Sequence, residues 1–183
     1  MEFFDHITDK HAAFLARTPV FFVATAAAEA RINLSPKGMD TLRVLGPKRM
    51  IWLDYGGSGN ETHAHVVADG RITVMACAFD QPALIYRLYG HARPVLPQDA
   101  DWDELAAHFT IERGVRQIFD MTVDSTQTSC GWGVPRMDLV EERQTLRKFH
   151  AQDDPVARFA DIQHRTRSID GLPVTVPAFL PYD

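Results

Sequence analysis

Two short polar stretches inside Ile32–Thr62 carry the groups of an anion site. The first is Asn33-Leu34-Ser35 running into Pro36-Lys37-Gly38, which offers an amide, a hydroxyl, one lysine and a glycine. The second is the turn Gly56-Gly57-Ser58-Gly59, opening onto a helix that begins near Asn60. Ser58-Gly59-Asn60-Glu61 fits a capping box, with Asn60 as a competing cap. The first N–H groups of a helix have no internal acceptor, and the helix dipole places partial positive charge there. A phosphate-like anion suits that position, and the glycines let it come close. The same residues also make a plain capped helix after a tight turn. Between the two stretches, Leu53 and Asp54 end an apolar strand. Asp54 either orients a ligand or opens the turn with an Asx bond.

Other chemistry-bearing residues are fewer. Thr126-Gln127-Thr128-Ser129-Cys130-Gly131-Trp132-Gly133-Val134-Pro135 is read as a loop that presents Trp132 to a planar ligand or a second subunit, or as a structural crossing. His63 and His65 stand two apart on one predicted helix and so do not share a face, which argues against a metal pair. Cys77 reads as a small core residue, and its spacing from Cys130 is neither a metal nor a redox motif. No residue stands out as a general acid or base, and no metal is expected.

The elements that must position these groups follow from periodicity. Residues 3–17 are predicted helical, with Phe3, Phe4, Ile7, His11, Phe14 and Leu15 on one face. Six strands are predicted: Val20–Thr25, Ile32–Ser35, Met50–Asp54, Arg71–Phe79, Ala83–Val95 and Arg116–Ser125. Pro36 places the second at an edge or ends it. Gly90 marks a bulge or close approach in the fifth. Further helices are predicted over Asn60–Asp69, ended by Gly70, then Ala100–Phe109, Leu139–Phe149 and around Val156, Phe159 and Ile162. Pro173, Pro177 and Pro181 make the end an extended arm, lying over a neighbouring subunit or fraying. Consecutive short strands with inserted helices point to a mainly antiparallel sheet closed into a small barrel, with an open α+β sheet carrying helices on one face as the alternative.

The composition sets limits. With 183 residues and 45% apolar content, one domain with a sizeable core is expected. A net charge of −5 and the lack of any Lys/Arg run argue against a nucleic-acid partner. No stretch has the length of a membrane span, and the first residues do not read as a secretory signal, so a cytoplasmic protein is expected.

In order and spacing these segments resemble the pyridoxamine 5′-phosphate oxidase-like family of flavin-binding split β-barrels. The resemblance rests on Val23-Ala24-Thr25, Asn33–Gly38, Trp52-Leu53-Asp54, Gly57–Thr62, Arg71–Phe79 and the strand with Gly90, and covers roughly residues 10–135. Thr128–Pro135 looks like the signature of one branch. Residues 136–183 are then a helical extension and arm of a single domain spanning 1–183. What the resemblance implies is a six-stranded antiparallel split barrel, forming a homodimer with FMN between subunits, and a small-molecule substrate. Carried onto this chain, the FMN contacts are Asn33, Ser35, Lys37, Gly38, Leu53, Asp54, Ser58, Asn60, Glu61 and Thr62. The chain departs from the true oxidase in its few cations at these positions, and the oxidase's substrate-gripping C-terminal segment is not recognisable after residue 135. A non-catalytic flavin protein, a deazaflavin protein or a haem-binding barrel with His91 or a terminal histidine as ligand are the alternatives.

Overall fold

The computed structural model describes residues 1–152, 154, 156 and 165–178. The described elements are β1 (Glu2–Phe4), α1 (Asp9–Ala16), β2 (Phe21–Thr25), β3 (Asn33–Lys37), β4 (Leu42–Gly46), β5 (Arg49–Tyr55), α2 (Glu61–Ala68), β6 (Arg71–Cys77), β7 (Ile85–Val95), α3 (Trp102–Ala106), β8 (Val115–Ser129) and α4 (Thr145–Gln152). One antiparallel sheet runs β3-β2-β6-β7-β8-β5-β4, with β1 added to β8. Its two ends do not pair, so the barrel is split rather than closed. The edges that closure would remove therefore persist at β3 and β4.

All six predicted strands are present, and two more join them. β4 pairs with β5 alone, and its alternation is broken by Arg43 and by a register shift between Val44 and Gly46. Such a strand has little signal of its own, because its partner supplies its order. β1 replaces the start of the predicted 3–17 helix. Glu2–Phe4 pair with Thr128–Thr126 of β8, and Thr8 caps α1 by accepting from the His11 N–H at 3.3 Å. β8 continues four residues beyond its predicted end, so Thr126–Ser129 are strand rather than loop. Pro36 does not end β3; it sits opposite Phe22 on the edge, where its missing N–H costs no ladder bond. The predicted 139–149 helix begins only at Thr145. Phe159, Ile162 and Pro181 lie outside the described residues.

The core has two parts on either face of β5. Met50 and Trp52 face a cluster with Phe14, Leu15, Phe21, Val74, Tyr86 and Phe119, in which Trp52 stacks on Phe119 at 4.7 Å. Ile51 and Leu53 face the second, with Trp102 and Leu105 of α3 and Ile118. Burial on both faces is why β5 reads as a continuous apolar run. α2 packs on β2, β6 and β7 and is covered from outside by residues 165–178. That segment folds into a small hairpin, with an Arg167–Pro173 bridge and Gly171 at a φ of +83°. Residues 165–178 of the C-terminal arm thus cross their own chain. Among the described residues no helix is long and apolar enough to cross a membrane.

Candidate functional site

Asp54 is the hub of the site. It stands one residue before the end of β5, is only 2% exposed, and takes Lys37 Nζ on one oxygen at 2.7 Å. Its other oxygen accepts from Arg116 Nε at 2.7 Å and Gln117 Nε2 at 2.8 Å. Neighbours on a strand normally face opposite ways. Here Asp54 pairs with Gln117 and Tyr55 with Val115, so Arg116 is the extra residue of a bulge. The bulge turns both side chains onto one carboxylate. Burial raises the Asp54 pKa, but the Arg116 and Lys37 charges and the hydrogen bonds from Lys37 and Gln117 outweigh it. The carboxyl is held well below the usual carboxylate range. Lys37, offered by the sequence as a lysine for an anion, is instead the ion-pair partner of Asp54.

The polar face of β3 turns inward. Asn33 Nδ2 donates to Thr62 Oγ1 at 3.1 Å and to Thr25 Oγ1 at 3.2 Å, and Ser35 Oγ donates to Asn33 Oδ1 at 3.0 Å. The other face is apolar and in the open: Ile32 is 80% exposed and Leu34 is 64% exposed. Gly38 is packed so that a Cβ would stand 3.1 Å from the Pro19 carbonyl oxygen. Leu53 lies in the core.

The glycine turn is held by its carbonyls. Gly56 O accepts from the His150 ring at 3.0 Å, Gly57 O from Arg165 at 2.8 Å and Gly59 O from Arg116 at 2.8 Å. The carbonyl and N–H of a trans peptide point in opposite directions. The N–H groups of Gly57, Ser58 and Asn60 are thus turned away from those donors, and among the described residues none of them is taken up by an acceptor. The α2 first turn adds its own unpaired donors. The predicted capping box does not form. Asn60 is the N-cap, without a side-chain cap bond, and its Oδ1 accepts from Gln117 at 2.8 Å. Glu61 instead reaches the C-terminal hairpin, accepting from Ile169 N at 3.0 Å. Beside the turn lies a cavity of about 290 Å³, lined by Gly56–Asn60, Arg116, Arg165, Arg167 and Val174–Pro177.

One shell of polar groups was not foreseen from the sequence. Gln117 links Asp54 and Asn60 to His63, whose Nδ1 meets Gln117 Oε1 at 2.7 Å. His63 Nε2 accepts from Thr175 N at 3.0 Å, so the ring is neutral with its proton on Nδ1. Burial lowers the His63 pKa, against the opposing pull of Gln117. A folded-state pKa below the unfolded one means that the unfolded chain binds more protons as pH falls below about 6.5. The stabilisation is complete above that pH and declines below it. His11, also lowered by burial, acts in the same window. Protonation at His63 also removes the acceptor for Thr175. Amide exchange at Thr175, corrected for intrinsic rate, is expected to quicken between pH 7 and 5 in the native protein and to lose that pH dependence in His63→Gln. Arg165-x-Arg167 was visible as a spaced cationic pair, but its distance of about a hundred residues from the turn hid its relevance.

Trp132 stands apart. It is 86% exposed, beyond the far end of β8 from Arg116 and Gln117, and is not brought to the other candidates within one chain. A second groove, about 400 Å³, is lined by Ala24–Ala26, Ile32, Tyr89, Gly90, His91 and Asp124 among others. His91 there contacts Asp124 at 3.0 Å.

Comparison with known proteins places the chain. The family model described as pyridoxamine 5′-phosphate oxidase matches residues 7–130. A relative in Aspergillus flavus, the pyridoxamine 5′-phosphate oxidase family protein ustO, is 30% identical over 190 residues, covering 93% of this chain and 76% of its own length. Among solved structures, a Lactobacillus delbrueckii protein provisionally described as a pyridoxamine 5′-phosphate oxidase superposes with a TM-score of 0.56 at 14% identity, covering 68% of this chain and 95% of that one. HupZ of Group A Streptococcus does so with a TM-score of 0.54 at 20% identity, covering 68% and 94%. At these identities the two structures speak for the fold alone.

Proposed function

The chain belongs to the pyridoxamine 5′-phosphate oxidase family, and from that premise we propose that it is an FMN-binding oxidoreductase whose phosphate site is the turn Gly57–Asn60. The observation that carries this reading is the cavity beside the glycine turn and the head of α2, walled by Arg116, Arg165 and Arg167. A phosphate dianion wants such donors, and charge-assisted bonds to arginine suit it best. The cavity is near the lower end of ligand pockets, which run from about 300 to 1,000 Å³. It takes a phosphate and part of a ribityl chain, and a flavin ring would lie outside it. Ser58 and Asn60 line that end, with Thr62 and Glu61 at the head of α2. Behind it Lys37 and Asp54 back Arg116, and Ser35 and Asn33 join Thr62, whereas Gly38 packs on Pro19 and Leu53 lies in the core. Bound FMN would supply the hydride-accepting ring, and this chain supplies placement and charge. Asp54 keeps Arg116 and Gln117 in place beside the turn, and His63 ties that wall to the C-terminal segment.

A homodimer is part of the proposal. The bare apolar edge at Ile32 and Leu34 is what a second copy would cover, and Trp132 serves a flavin only across such an interface. The experiment is titration of the purified protein with FMN and with riboflavin, alongside sedimentation. FMN is expected to bind at least about tenfold more tightly, since one charged hydrogen bond contributes about 1.5–3 kcal/mol. Arg167→Ala should weaken FMN by about that factor and leave riboflavin unchanged. Equal binding of the two ligands would remove the phosphate site. Binding of neither would remove the flavin, and a Soret band on adding haem would move the cofactor to the His91 groove. Sedimentation as a monomer with FMN bound would remove the dimer. Reduction of the bound flavin by NADH or NADPH tests the redox role.

A further inference from the structure

Glu61 and His65 stand one turn apart on α2 and so share a face, and the C-terminal hairpin brings Asp170 against them. One ligand atom from each of the three lies within 4.8 Å of the other two. His65 is 1% exposed, and its Nε2 has no hydrogen-bond partner among the described residues. Glu61 Oε2 is buried and likewise without a partner. Its other oxygen takes the Ile169 N–H. An unmatched imidazole nitrogen beside an unmatched carboxylate oxygen is costly unless something electropositive lies between them.

We propose that Glu61, His65 and Asp170 bind a divalent transition-metal ion, Zn²⁺ being the best fit, which staples the C-terminal hairpin to α2. The surroundings are those of a prepared ligand set. His65 Nδ1 lies 3.1 Å from Thr25 Oγ1, and that oxygen also accepts from Asn33. A hydroxyl oxygen accepts two bonds, so an Nδ1–H held there leaves the Nε2 lone pair for a metal. Asp170 is oriented by Arg31, whose backbone N–H donates to Oδ2 at 2.8 Å and whose guanidinium pairs with Oδ1. Each Asp170 oxygen keeps a second lone pair. One imidazole and two carboxylates favour Zn²⁺ over Mn²⁺, with Mg²⁺ weaker still. Ligands about 2.0–2.2 Å from a tetrahedral ion stand roughly 3.3–3.6 Å apart, so the cluster need contract by at most about 1.5 Å. Three protein ligands leave one position for water. Glu61 follows the helix cap beside the proposed phosphate turn, so the metal is tested on the chain free of flavin.

The test uses the full chain, free of tag and cofactor, titrated with Zn²⁺ alone against a chromophoric chelator, with Co²⁺ as a spectroscopic probe. One equivalent is expected, with slowed amide exchange over residues 166–174. Glu61→Gln and Asp170→Asn keep the side-chain shapes, and each should weaken Zn²⁺ by about 100-fold and abolish that slowing. Mg²⁺ should do nothing. Uptake of Zn²⁺ unchanged in both variants would place the ion elsewhere, and no uptake against a weak chelator would mean that the cluster holds no metal. Either result overturns the proposal. FMN affinity without added metal is expected to be the same with and without chelator, so a failure here is separable from a failure of the flavin reading.

Discussion

Asp54→Asn should destabilise the protein by about 3–5 kcal/mol, the cost of leaving buried charges without their partner. The amide keeps the shape but loses the charge that Lys37 and Arg116 both face, and at least one of the three donors meets an NH₂ group instead of an oxygen. Urea denaturation reads the loss directly. Asp40→Asn is the control: its pair with Arg43 is solvent-exposed on the acid side and should cost under about 1 kcal/mol. The same lesion should impair FMN binding, since Arg116 and Gln117 lose the group that holds them against Gly59 and Asn60. A loss at Asp54 no larger than at Asp40 would mean that the hub contributes nothing beyond a surface pair. The pH dependence has a fixed sign. The folded pKa is depressed, so the stabilisation is present above the ordinary carboxylate pKa near 4 and is lost as pH falls below it.

Gly90→Ala is expected to cost about 3 kcal/mol or more, at the upper end of overpacking effects. β7 and β8 are the longest strands, and their register shifts between Tyr89 and Gly90. There Gly90 pairs with Val123 and Tyr89 with Ser125, which leaves Asp124 as the extra residue. The strands come so close that a Cβ at 90 would stand 2.0 Å from the Thr122 carbonyl oxygen and 3.0 Å from its carbon. Backbone cannot swing aside as a side chain can, so the ladder itself must open. A thermal melt checks this, with Gly133→Ala as control, because nothing lies within 4 Å of a Cβ there. A Gly90→Ala variant melting with the wild type would show that the two strands separate at little cost. The bulge also aims Asp124 at His91, so the variant is expected to disturb the second groove as well.

The two grooves and the hub show where sequence reading stops. β5 and β7 were legible because their own residues carry the pattern: an apolar run buried on both faces in one, and alternation with a glycine in the other. β4 and β1 were not, since each borrows its order from a single partner strand. The capping box at Ser58–Glu61 matched its pattern and still did not form. Glu61 found a backbone N–H in a hairpin more than a hundred residues away, which no local rule can weigh. Lys37 was singled out as a phosphate ligand, but its nearest anion is Asp54, brought to it by the fold.

By itself the sequence determined the type and order of the main strands, the glycine turn that opens α2, and the polar face of β3. These follow from side-chain periodicity and backbone freedom, both local properties. Only the tertiary structure decided which carboxylate neutralises which cation, that Arg116, Arg165 and Arg167 gather at the turn, that the sheet stays open at β3 and β4, and that His65 meets Asp170. Those choices depend on electrostatic and packing energies between residues far apart in the chain, and such energies exist only once the backbone has brought the groups within a few ångströms of one another.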